Sequence, residues 1–195
     1  MCISLEQADE MIKAVKKAGV LDCYFENLCY APALVTAKAI IDDGGIGEVF
    51  FMRCGESVGS GIDKLRENYK MERAEKKKKL SQPRYGVLLS MGCHPITYCR
   101  YIFNKQPVTK VYAETRSYIR EDPKCEDVAL LTITFRDGQV AWVDSCIYAL
   151  GTIDDRAEIY GTKGTIFVDL YGPQMTNGIK VYSQSGFNPA IGSSR

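Results

Sequence analysis

A chain of 195 residues and 21.8 kDa is long enough for one ordinary domain, or for a domain plus part of another, and it can bury a sizeable core. An apolar share of 46%, a charged share of 25%, and 12 Tyr, 7 Phe and one Trp exclude disorder over most of its length. With 25 basic against 24 acidic residues the formal charge is +1, which excludes a global field drawing the chain to nucleic acid or to anionic lipid.

No window approaches the roughly 18 unbroken apolar residues of a spanning helix. The start, Met1-Cys2-Ile3-Ser4-Leu5-Glu6, lacks a charged region followed by an apolar one. The expectation is a soluble, cytoplasmic protein with no membrane and no nucleic-acid partner. Cys2, Cys23, Cys29, Cys54, Cys93, Cys99, Cys125 and Cys146 form no C-x-x-C pair, and His94 is the single histidine. Neither a zinc spacing nor a disulfide framework is visible, so reduced and mostly buried thiols are expected, with no metal. Any imidazole chemistry must fall on His94.

In chain order, Ser4-Leu5-Glu6-Gln7 has capping-box form, Leu5, Ala8, Met11, Ile12 and Val15 share one face, and Gly19 follows Lys16-Lys17. The spacing predicts an amphipathic helix that requires a docking surface. Leu21-Asp22-Cys23-Tyr24-Phe25 reads as a strand. Pro32 opens a second helix that runs through Ile40 and Ile41 and ends at Asp42-Asp43-Gly44-Gly45. In Glu48 to Cys54 the run Val49-Phe50-Phe51-Met52 does not alternate, which suits a strand covered on both faces. Gly59-Ser60-Gly61 reads as a loop, and Lys64 to Leu80 as a charged helix closing on Lys76-Lys77-Lys78-Lys79. Cations offset a helix C-terminal dipole, and Glu67, Glu72 and Glu75 balance them, so the lysines form a solvated face.

Val87 to Phe103 is a third apolar helical stretch, interrupted by Pro95. From Pro107 to Ile119 onward the period becomes two. Val128 to Phe135, the turn Arg136-Asp137-Gly138-Gln139 and Val140 to Tyr148 predict a hairpin; Arg156 to Tyr160, Gly161-Thr162-Lys163-Gly164 and Thr165 to Leu170 predict another. At least five consecutive strands joined by short turns imply a largely antiparallel sheet with helices on one face. The other face carries Trp142, Tyr148 and Tyr160 among Asp144, Arg156 and Glu158, a mixture that suits a partner surface.

A phosphate loop is not visible. Gly55-Glu56-Ser57-Val58-Gly59-Ser60-Gly61 has neither the G-x-G-x-x-G order nor a G-K-[ST] ending, and Gly161 to Gly164 joins two strands. The segment in which chemistry could sit is Tyr85 to Thr97. Ser90 and His94 lie four apart and would share a helix face, where the small Gly92 would admit a ligand or another backbone. On the residues alone, His94 reads first as a hydrogen-bonded core residue, and Cys93 is expected to point elsewhere, which leaves no Cys–His nucleophile pair. Glu26-Asn27-Leu28-Cys29-Tyr30-Ala31-Pro32 follows a strand end, where α/β folds hold ligands; Asn27 reads either as a ligand contact or as the cap of the helix at Pro32.

Leu5 to Met11, Ala14 to Val20, Glu26 to Pro32, Gly45-Ile46-Gly47-Glu48-Val49, Leu89-Ser90-Met91-Gly92-Cys93-His94 and Asp155 to Thr165 resemble successive motifs of the Gfo/Idh/MocA oxidoreductases. The resemblance covers nearly the whole chain apart from a lysine-rich insert at 64–84. It implies an α/β to α+β fold: residues 1–31 as the end of a Rossmann-type dinucleotide-binding domain, and residues 32–195 as an α/β substrate and oligomerisation domain, incomplete at its C-terminus. The family's nucleotide motif and its Glu-Lys-Pro lysine would lie upstream of Met1, making the chain a fragment.

The resemblance further implies NAD or NADP as cofactor and a sugar, polyol or related hydroxyl compound as substrate. The family's D-x-x-x-H pattern falls on Ser90 and His94, with serine in the aspartate's place and His94 as acid/base group. Thr97 takes the place of a second aspartate and Cys29 that of an arginine. Asn27 and Tyr30 would line the nicotinamide or substrate side, with Tyr85-Gly86 as the entry to the catalytic helix. A homo-oligomer through the sheet face is implied; the alternative is a non-catalytic interaction module using that same face.

Overall fold

The computed structural model describes residues 2–59, 64, 67, 70, 85–118, 125–147, 153–170 and 178–184. Helix α1 spans Leu5–Ala18. The Ser4 hydroxyl accepts the Gln7 N–H at 3.2 Å, the Gln7 side chain accepts the Ile3 N–H at 2.9 Å, and Gly19 closes the helix in the left-handed region at φ 65°. Its apolar stripe is where the periodicity puts it, yet no residue of α1 is buried. None of the described elements covers it.

Leu21 to Phe25 is not a strand. A strand exists through a neighbour's backbone ladder, and no described strand lies beside this segment, which leaves Leu21 90% and Phe25 86% exposed. A 3-10 turn at Leu28–Tyr30 follows, and then α2 over Pro32–Asp42, with Pro32 in the first turn, where a missing N–H costs nothing.

The third helical stretch breaks into α3 (Val87–Ser90) and α4 (Cys93–Ile102). The break falls at Met91-Gly92, not at Pro95, because Pro95 sits in the opening turn of α4, where no intrahelical partner is needed. A Cβ on Gly92 would lie 2.6 Å from the Leu88 carbonyl oxygen, so the tight junction requires glycine.

Seven strands form one sheet: β1 (Val49–Val58), β2 (Val108–Arg116), β3 (Val128–Phe135), β4 (Val140–Cys146), β5 (Ile153–Gly161), β6 (Gly164–Asp169) and β7 (Gly178–Ser183). Their order is β2-β3-β4-β1-β5-β6-β7. Both predicted hairpins are present as β3–β4 and β5–β6, and every pairing is antiparallel except the central β1–β4 pair, which is parallel.

β1 alternates after all. Met52, Cys54 and Glu56 are buried, and Arg53 is exposed on the other face. A register irregularity between Val49 and Phe51 puts Phe50 out of phase, which is why the run reads as continuous. α2 and α4 cover one face, where Leu34, Ile46, Met52, Tyr98, Ile102, Ile159 and Ile166 make the core.

No described helix covers the other face. Arg53 lies 4.9 Å over the Trp142 ring and pairs with Glu158, and Phe51 stacks near Tyr160 at 5.5 Å. Asp144 and Arg156 share that face; Tyr148 falls outside the described residues. Of the lysine-rich stretch Lys64, Glu67 and Lys70 are described, as helical and exposed, and Lys76 to Lys79 lie outside. Among the described residues no helix is long and apolar enough to cross a membrane.

Candidate active site

His94 is the second residue of α4, and its side chain is 27% exposed. Its Nδ1 lies 2.7 Å from Oε1 of Glu26, a residue just before the 3-10 turn whose side chain is 5% exposed. The same Oε1 accepts the Leu28 N–H at 3.0 Å, so the backbone of the turn holds the carboxylate in place. A carboxylate can only accept, so Nδ1 carries the proton and donates it to Glu26. Nε2 then has its lone pair free, with no protein partner among the described residues.

Ser90 does not join this pair. Its hydroxyl donates back to the Gly86 carbonyl at 3.0 Å, and the α3–α4 break removes the shared helix face that a spacing of four would give. The carboxylate partner of His94 arrives instead from 68 residues earlier. Glu26 stands in a motif that sequence reasoning singled out for Asn27; no spacing rule links it to His94.

Beneath α4, the sheet sets three buried polar side chains in a row. Ser145 of β4, Glu56 of β1 and Asp155 of β5 are cross-strand neighbours. Glu56 is 8%, Asp155 1% and Ser145 0% exposed, and Glu56 Oε2, Asp155 Oδ2 and Ser145 Oγ have no hydrogen-bond partner among the described residues. The Glu56 carboxyl is raised to about 7, by burial first, with His94 opposing and Asp155 and Glu26 adding to the rise. Burial also lifts Asp155 to about 6, partly offset by the Tyr98 hydroxyl, which lies 3.0 Å from Asp155 Oδ1, and by His94.

These carboxyls bind protons more tightly in the fold than in the unfolded chain. Their stabilising contribution is therefore complete below about pH 4 and is lost as pH rises through 6 to 7. Glu56→Gln is expected to match the wild type near pH 4 and to exceed it by about 1–2 kcal/mol at pH 8 in urea unfolding. A difference that does not change with pH would contradict this.

Cys93 does not point away. One ligating atom each of Glu26, Cys93 and His94 lie within 4.8 Å of one another. Burial pushes the Cys93 thiol up and the Tyr24 hydroxyl partly offsets it, so the thiol is not an activated nucleophile.

Cys93 and Tyr24 also line a cavity of about 530 Å³ together with Tyr85, Gly86, Thr97 and Glu126, among others. Tyr85, Gly86 and Thr97 are thus brought together there. Thr97 Oγ1 donates to the Cys93 carbonyl at 2.7 Å. Gly86 leaves room for the Glu126 carboxylate, which would lie 1.8 Å from a Cβ and which accepts the Leu88 N–H at 2.9 Å. Asn27 and Tyr30 are exposed on the turn. Asn27 makes no capping bond, and Ala31 occupies the N-cap of α2, so the capping reading of Asn27 fails.

Neither glycine-rich stretch singled out in the sequence forms a phosphate-binding turn among the described residues. Gly55 lies mid-strand, where a Cβ would meet the Asp144 carboxylate at 2.5 Å, and Gly161 and Gly164 pack against the Ile46 and Tyr182 carbonyls. Neither site is a turn feeding a helix N-terminus.

A family model described as GFO/IDH/MocA C-terminal domain matches residues 34–167. An uncharacterised oxidoreductase of Bacillus subtilis (strain 168), YrbE, is 28% identical over 173 residues, 85% of this chain and 45% of the relative. Myo-inositol 2-dehydrogenase of Thermotoga maritima is 25% identical over 174 residues, 87% of this chain and 47% of the relative. Levoglucosan dehydrogenase, solved with NADH and L-sorbose, shares the fold at a TM-score of 0.74 and 23% identity, covering 93% of this chain and 48% of that one. The chain spans about half the length of the curated relatives it matches. Because that family model matches more than half of the chain, the chain belongs to the GFO/IDH/MocA family, carrying its C-terminal domain.

Proposed function

We propose that this chain supplies the acid/base and substrate-holding part of an NAD(P)-dependent oxidoreductase acting on a hydroxyl of a sugar, polyol or related compound. The observation that carries this reading is the Glu26–His94 pair, a buried carboxylate holding an imidazole whose second nitrogen is free. Nε2 takes the hydroxyl proton as the carbon is oxidised and returns it in the reverse direction, and Glu26 stabilises the imidazolium in between. A bound nicotinamide supplies the hydride acceptor; residues 1–31 are read as the end of the domain that holds it and 32–195 as the substrate domain. Tyr85, Gly86 and Thr97 line the cavity beside Cys93, and Asn27 and Tyr30 are the candidates on the nicotinamide side. The similarity to a myo-inositol dehydrogenase and a D-apiose dehydrogenase supports the substrate class.

With one histidine in the chain, the test is direct: titrate myo-inositol, then other polyols and aldoses, and follow the single imidazole resonance by NMR. The reading expects a saturable shift for at least one compound. No response across the panel would overturn it.

The open sheet face favours a second property, self-association, which the non-catalytic module reading shares. Trp142, Arg53, Phe167 and Tyr182 form an exposed aromatic and cationic surface on it. Trp142→Glu is expected to convert an oligomer to a monomer in sedimentation, and an oligomer that survives the substitution would remove that face from the account.

A further inference from the structure

We propose that Glu26, Cys93 and His94 form a binding site for a divalent cation of the zinc or cobalt class, which takes the place of the proton shared by Glu26 and His94. The three donors are a carboxylate oxygen, a thiol sulfur and an imidazole nitrogen, all within 4.8 Å of one another. That donor set selects a borderline-soft cation, and three protein ligands leave a fourth position open. Metal–ligand distances of about 2.0–2.3 Å place tetrahedral donors about 3.3–3.8 Å apart, inside the observed spread. The 2.7 Å Nδ1···Oε1 contact has to open by only about half an ångström to admit the ion.

The frame is already built. Leu28 N–H fixes the Glu26 carboxylate, and Cys93 and His94 are consecutive residues opening α4. A thiolate and a carboxylate together neutralise a dication. A second observation points the same way: Glu56 Oε2 and Asp155 Oδ2 belong to side chains more than nine-tenths buried, have no partner among the described residues, and lie close enough for His94 and Glu26 to act electrostatically on both. The α4 N-terminus opposes a cation, but its half-charge is smaller than the charge of the Glu26 carboxylate and the Cys93 thiolate together. Cys93 also lines the 530 Å³ cavity, so the open coordination position is within reach of a molecule entering there. This site does not depend on the oxidoreductase reading. When it is filled, His94 is a ligand and cannot carry the proton, so occupancy and acid/base function exclude each other.

The test uses Co²⁺ alone, titrated into the purified full chain. A thiolate-to-cobalt charge-transfer band is expected, with one ion per chain by equilibrium dialysis, and Zn²⁺ displaces it. Cys93→Ser should abolish the band, and Glu26→Gln and His94→Asn should keep the thiolate band while weakening binding about tenfold or more. Cys23→Ser, which alters an exposed thiol outside the cluster, should change nothing. The proposal is overturned by no band, by a band that survives Cys93→Ser, or by one lost in Cys23→Ser. It is equally overturned if Glu26→Gln and His94→Asn, folded by circular dichroism, bind Co²⁺ as tightly as the wild type.

Discussion

Under the proposed acid/base role, His94→Ala is expected to lower turnover by about a hundredfold or more, the loss that accompanies removal of a positioned general acid/base. Glu26→Gln should lower it by about tenfold or more, because the amide keeps the shape but no longer stabilises the imidazolium and can present its NH₂ to Nδ1. Ser90→Ala should stay within a few-fold. Its hydroxyl is spent on the Gly86 carbonyl, and the α3–α4 break separates it from the imidazole. Steady-state kinetics on the three variants decides between two partners for His94: if Ser90→Ala falls as far as Glu26→Gln, the assignment of the carboxylate is wrong. The effect should fall on kcat more than on KM, since the proton is moved in the transition state rather than in binding.

Leu34→Ala is expected to lower the unfolding free energy by about 3 kcal/mol, within the 2–5 typical of a buried leucine cut to alanine. Leu34 is fully buried on α2, which packs on β6, β7 and the 3-10 turn. Three carbons are lost from a site walled by helix and sheet, where little can collapse to fill the gap. Urea denaturation should show a lower midpoint at an unchanged slope. The same substitution loosens the turn that delivers Glu26, so turnover per folded molecule should fall as well. A loss under about 1 kcal/mol would mean that α2 is not the anchor described here.

The elements that depend on local chemistry could be read from the residues. Ser4, Gln7 and Gly19 bound α1, Pro32 opens α2, and the period-two runs from Val108 onward give the β3–β4 and β5–β6 hairpins, because caps, turns and alternation are short-range effects. What depends on distant partners could not. Leu21 to Phe25 has strand composition but no neighbouring strand among the described residues, and β1 enters the middle of the sheet parallel to β4 across 81 intervening residues. Val49 to Met52 masks its alternation with a register irregularity.

The site divides in the same way. His94 stands out in the sequence as the single histidine, and Tyr85, Gly86 and Thr97 are candidates through the family resemblance. The carboxylate partner of His94 was not legible, since Ser90 occupies the position four residues away, where a helix would place it, and the break at Met91-Gly92 cancels that helix. Glu56 and Asp155 look like ordinary strand acids in the chain. Only the register of β1 against β5 makes them a buried pair beneath His94.

The measurement that tests the central claim most directly is a long-range ¹⁵N–¹H correlation spectrum of the lone imidazole in its neutral form. Glu26 accepting from Nδ1 predicts the Nδ1–H tautomer, with Nε2 unprotonated. That signature should be lost in Glu26→Gln and kept in Ser90→Ala. An Nε2–H tautomer in the wild type, or a spectrum indifferent to Glu26→Gln, would contradict the account.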